Sequence, residues 1–166
     1  MDRNNYFHSP NKGKMSLAEV ANDIFGYINE QAKDKYKIIV GTDSAGVAHP
    51  DFITAIIVYR VGRGGRYFWK KTPAKRPYPD IKTRVFQEVT LSLSASQELL
   101  GAIQVIVEKG GNIKYDFQIH IDVGERGQTR EIIKEVVGMV KGNGFEAKIK
   151  PESYAASSVA DKYAKR

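Results

Sequence analysis

The order of hydrophobic periods along the chain limits its folds most sharply. Between Tyr36 and Lys71 three apolar, β-branched or aromatic runs follow one another with only turns between them: YKIIVGT, FITAIIVYRV and YFWKK. Each reads as a strand, and such short links favour an antiparallel meander. Beyond them the period changes. Asp80 can cap a long helix with an apolar stripe of Ile81, Val85, Val89, Leu99, Leu100, Ile103, Ile106 and Val107, stopped at Gly110-Gly111. Tyr115 to Val123 alternates as a fourth strand, Thr129 to Lys141 is an amphipathic helix, and Phe145 to Ile149 is a fifth strand. Ser153, after Pro151, can cap a last helix. Strands that each follow a helix pair in parallel through crossovers. The fold class is therefore α/β, a mixed five-stranded sheet in the order β-β-β-α-β-α-β-α.

An extra helix precedes this core. Ser16 and Glu19 have capping-box spacing, followed by Leu17, Val20, Ala21, Ile24, Phe25 and Ile28 at helical steps. Residues 1–14 carry no sustained period and read as a flexible arm, residues 16–33 as the N-terminal helix and residues 36–166 as the core. One domain suits the 166 residues. With no cysteine, disulfide scaffolds, thiolate nucleophiles and cysteine-bound metals are excluded. No apolar run approaches the roughly 20 residues of a membrane span, and Met1 to Lys14 has no signal-peptide core. The expectation is a cytoplasmic chain that keeps off membranes. Gly62, Gly64 and Gly65 match a phosphate loop only in part. They lie between two strands, so they read as a hairpin turn.

The net charge of +7 is not spread evenly. From Arg60 to Arg84 there are nine Lys and Arg against a single acid, Asp80, and the remainder is nearly neutral. Aromatic residues Tyr67, Phe68, Trp69 and Tyr78 interleave with these cations. Phosphate contacts with base stacking suit that composition, which makes Arg63, Arg66, Trp69, Lys70, Lys71, Lys75 and Arg76 candidates for nucleic-acid binding. The plainer reading buries alternate aromatics in the sheet and leaves the lysines in solvent. Lys148 and Lys150 can extend the basic surface.

Carboxylates mark the strand ends. Asp43 directly follows the first core strand, and Asp122 sits near the carboxyl end of the fourth. In α/β sheets, ligands bind beyond those ends. Two adjacent acids repel unless a cation neutralises them, and Mg²⁺ or Mn²⁺ suits an oxygen-only site. The long helix starts at that same edge, so an acid in its first turns can join. At ~100° per residue, Glu88 lies about 70° from the centre of the apolar stripe and Glu98 about 150° away, which favours Glu88. Asp161 in the last helix is a fourth candidate, or else a surface charge. His120 shares a strand face with Asp122 and can support a ligand, touch phosphate or be a structural histidine.

The segments Gly41-Thr42-Asp43-Ser44, the helix bearing Glu88, His120-Ile121-Asp122-Val123-Gly124 and Ser158 to Ala164 together resemble the RNase H-like fold. The opening IVGTDS, the HIDVG strand and the closing KIKPESYAASSVADKY are similar to the YkuK-type family of predicted nucleases. The likeness covers about residues 16–166. It implies a nuclease in which Asp43 bridges two divalent ions about 4 Å apart, with Glu88 and Asp122 completing one shell and Asp161 the other. The implied substrate is RNA, DNA or their hybrid. The alternative is a nucleic-acid-binding module that keeps the fold without cleaving.

Overall fold

A computed structural model describes residues 5–153. The expected last helix and Asp161 lie outside the described residues. A seven-stranded sheet runs through the molecule in the order β2-β1-β5-β4-β3-β6-β7. Its strands are β1 (Tyr6–Ser9), β2 (Gly13–Ser16), β3 (Tyr36–Ser44), β4 (Asp51–Arg60), β5 (Gly64–Pro73), β6 (Asp116–His120) and β7 (Glu146–Lys148). The helices are α1 (Leu17–Glu30), α2 (Ile81–Glu108) and α3 (Ile133–Gly142), the last entered through a 3₁₀ turn at Arg130–Ile132. β3, β4 and β5 form the expected antiparallel meander, and β6 and β7 join in parallel beyond β3.

Two strands exceed the five expected. Residues 6–16, of which those up to 14 read from the sequence as a flexible arm and Ser16 as the start of the first helix, form a β1–β2 hairpin that extends the sheet at its β5 edge. Its turn is held by Ser9 Oγ, which accepts hydrogen bonds from the Asn11 and Lys12 amides. Gly13 supplies a positive φ there. Only Phe7 and Met15 point inward, yet both are buried in the main core. Two apolar residues are too few to register as a strand period, so the pattern was hidden.

Among the described residues, all three helices pack on one face of the sheet. α1 opens with both bonds of the expected capping box, Ser16 with Glu19. It buries Val20, Ala21, Ile24 and Ile28 with Ile38, Val40, Ile56, Val58 and Phe68. The first half of α2 packs Val85, Val89 and Leu93 with Ile119, Ile121 and α3, and its second half joins the α1 cluster through Leu99 and Ile103. By length and composition alone α2 could cross a membrane, a point missed by looking for uninterrupted apolar runs. Its buried side includes Glu88, Ser92 and Ser96, and that side lies on β3 and β4. The Gly62–Gly65 segment is the expected hairpin turn. A side chain at Gly65 would strike the carbonyl of Val58 on β4.

Candidate active site

β3 is the central strand, and its last residues carry the chemistry. Alternation sends Ile38, Val40, Thr42 and Ser44 toward the helices and Ile39 and Asp43 to the other face. β6 pairs with β3 in parallel up to Gly41 opposite His120. Asp43, two residues further along β3, and Asp122, two residues past the end of β6, come to the same edge of the sheet, where the Val123 amide donates back to Ile121 and turns the chain. The chain beyond β6 keeps its place because the Ile121 amide donates to Lys148 and the Lys150 amide to Val123.

Glu88 reaches the same edge from α2. Asp80 caps this helix by accepting from the Thr83 amide at 2.8 Å, which places Glu88 in the third turn on the side facing β3. It is 6% exposed. Ser44 Oγ donates to Glu88 Oε1 at 2.6 Å, while the Ser44 amide donates to Asp43 Oδ1 at 2.9 Å. Burial first, and then the negative charges of Asp43 and Asp122, push the Glu88 carboxyl up to about 8 against the pull of the Ser44 hydrogen bond. Arg84, one turn earlier, opposes them weakly. Glu98 is exposed and lines a small cavity with Phe7 and Lys70. The helix acid at this edge is Glu88.

A second rung lies beneath the first. Thr42 Oγ1 shares hydrogen bonds with Ser92 Oγ at 2.8 Å and Thr54 Oγ1 at 3.0 Å, all buried. Ser92 is one turn beyond Glu88, and Thr42 is two residues before Ser44. The paired rungs pin α2 to β3 and set the depth of Glu88. Sequence reading missed this pair, though serines four apart inside an apolar helix (Ser92, Ser96) were a signal for it.

Asp122 already holds a positive charge, with Lys150 Nζ 3.1 Å from its Oδ1. Among the described residues, no three His, Asp or Glu side chains are drawn together tightly enough to form a metal's ligand group. Three carboxyl groups nevertheless lie within mutual electrostatic reach. Their donor set is all oxygen, as Mg²⁺ or Mn²⁺ requires. The neighbouring lysine and the raised carboxyl both mark a place that takes up positive charge.

His120 stands apart from the acids. It is 6% exposed, and its Nε2 lies 3.2 Å from Gln118 Oε1. Burial, then Lys148 and Lys37, push its ring down to about 4, so it is neutral near pH 7. It lines a cavity of about 420 Å³ with Lys37, Tyr59 and Lys148 on the face away from the helices.

The basic run is divided rather than gathered. Arg66 pairs with Asp23 and Glu30 on the α1 side, and Lys70 with Asn5. Lys71 lies on the opposite face beside Asp51, and Trp69 stacks on His8 with ring centroids 4.7 Å apart. Arg63 occupies the β4–β5 turn, about 30 Å along the strands from the acidic edge. Lys75 and Arg76 are exposed in the loop that enters α2. That loop is tied to the β3–β4 loop by the Ala74 and Tyr78 amides, which donate to Pro50 and Ala48. Of the seven nucleic-acid candidates, Lys75 and Arg76 lie at the acidic edge, as does Lys71, which is level with Asp43 across Ile53 of β4.

The chain matches the family model of ribonuclease H-like proteins across residues 19–165. It is 28% identical over 166 residues to the Bacillus subtilis (strain 168) protein described as "Uncharacterized protein YkuK", with 96% of each chain covered. No solved structure matches it.

Proposed function

The chain belongs to the ribonuclease H-like family, and from that premise we propose that it is a divalent-metal-dependent nuclease that hydrolyses phosphodiester bonds of RNA or DNA. One observation carries the reading. Glu88 is buried against Ser44 at the carboxyl edge of β3, within reach of the charges of Asp43 and Asp122. A carboxyl placed there with no chemical task would weaken the fold. Asp43, Glu88 and Asp122 would hold Mg²⁺ or Mn²⁺, and the family likeness adds Asp161. The bound metal would supply Lewis acidity, making the attacking water more acidic and stabilising the leaving oxygen.

The protein's own residues supply position and charge. Ser44 and the Thr42–Ser92 rung hold Glu88 at a fixed depth, a precondition for placing oxygen ligands to within a few tenths of an ångström. Cations flank the acids on both sides. Lys75, Arg76, Lys82 and Arg84 stand toward β5, and Arg126 and Lys150 toward β7. From β5 to β7 is four interstrand gaps, ~19 Å, room for several phosphates of one strand laid across the sheet edge. Such contacts hold the backbone without reading bases.

The test is cleavage. End-labelled RNA, DNA and hybrid are incubated with Mn²⁺ and with wild type, Asp43→Asn or Asp122→Asn. Wild type should cut at least one substrate, and each variant should fall at least a hundredfold. Equal cutting by all three would remove the site assignment. Binding without any cutting would favour the binding module.

A further inference from the structure

The strongest independent feature at this edge is Lys150. Its backbone is fixed, with the amide donating to Val123 at 2.9 Å. Its side chain lies along Gly124, where a Cβ would come within 3.2 Å of Lys150 Cβ and 3.4 Å of its Cδ. Gly124 therefore keeps open the lane in which the lysine stem rests. The loop that carries Gly124 is closed by Thr129, whose Oγ1 accepts from the Gly124 amide at 3.1 Å. At the end of the stem, Nζ sits 3.1 Å from Asp122 Oδ1, with the Lys150 side chain 56% and the Asp122 side chain 28% exposed. Beside this pair opens a cavity of about 590 Å³ lined by Gly124, Glu125, Arg126, Ile149, Lys150 and Pro151.

We propose that Lys150 is a metal-coupled phosphate-binding residue, held on Asp122 until a divalent cation displaces it toward the phosphate backbone of a nucleic-acid strand in the neighbouring cavity. The inference rests on the reading of Asp122 as a metal ligand. An ammonium and a divalent cation on one carboxylate repel each other, and the cation, with twice the charge, is the stronger competitor. The lysine stem is flexible and its head solvated, so release needs rotamer changes only. Once released, it joins Arg126 at the mouth of the cavity, and two cations suit a phosphodiester. The coupling is reciprocal: a phosphate that draws Lys150 off Asp122 must favour cation binding by the same factor as the cation favours the phosphate. Glu125, which shares the cavity, is the competing resting place for the released ammonium.

The test separates this inference from the site itself. Mn²⁺ affinity is measured by titration calorimetry, without nucleic acid, for wild type, Lys150→Gln and Lys150→Arg. Oligonucleotide affinity is measured by fluorescence anisotropy with and without Ca²⁺, and the oligonucleotide is checked for intactness afterwards. Lys150→Gln should bind Mn²⁺ about threefold more tightly, the scale of one exposed ion pair. It should also lose most of the enhancement that Ca²⁺ gives oligonucleotide binding in wild type, and its salt slope in Ca²⁺ should fall by about 0.7–0.9. Lys150→Arg should keep the enhancement. Unchanged or weaker Mn²⁺ binding in Lys150→Gln overturns the inference while the metal site stands. Failure of wild type to bind any divalent cation removes both.

Discussion

Glu88 links folding to function most tightly. Its carboxyl titrates near 8 in the folded protein against 4.5 for an unburied glutamate. Between those values the folded state holds a proton that the unfolded state has released. The stabilising protonated form is fully favoured below pH 4.5 and is lost as pH rises through 8. The metal-free protein should lose about 1.4 kcal/mol per pH unit within that window from this group. Glu88→Gln keeps a partner for Ser44 without the charge, so its denaturant-derived stability should vary less over the same range. Parallel profiles for the two proteins would mean that Glu88 is not buried as described. Asp43, Asp122 and Glu88 were all legible in the sequence, because a carboxylate interrupting an apolar strand or flanking an apolar helix stripe stands out. Lys150 was legible only as one more cation, since its partner comes from a different strand. His120 was singled out for sharing a face with Asp122. Its ring turns instead to Gln118, two residues earlier on that face, and lines the cavity beside Lys37 and Lys148.

At the scale of elements, the five core strands and three helices appear where the periods put them, with ends shifted by a few residues. The N-terminal hairpin does not, because its apolar signal is just Phe7 and Met15 among polar neighbours. Phe7 is 1% exposed, so Phe7→Ala should cost about 3 kcal/mol in chemical denaturation. A change below 0.5 kcal/mol would fit a loose arm instead. β5 shows the opposite case, a strong signal that misled. Its run of cations looked continuous in sequence, but a strand alternates. Arg66 and Lys70 therefore lie on the helix side of the sheet, and Lys71 and Trp69 on its other side. Local charge density carries no information about which face each charge occupies.

For the molecule as a whole, the division of the basic run changes what salt should do. Lys75 and Arg76 are exposed at the acidic edge, whereas Arg60 is committed to Tyr36 and Asp34 inside the fold. Oligonucleotide binding should weaken steeply with salt. The double variant Lys75→Ala/Arg76→Ala should flatten that dependence by about 1.5 in slope. Arg60→Ala should leave the slope alone and lower stability. Equal effects on the slope would return the whole run to the binding surface. The central claim is that Asp43, Glu88 and Asp122 form one cation site, and its most direct measurement is Mn²⁺ binding by titration calorimetry near pH 7.5. Wild type should bind at sub-millimolar concentration, and Asp43→Asn and Glu88→Gln should each weaken binding at least tenfold. Wild-type binding that survives unchanged in both variants, or no binding at all, would contradict it.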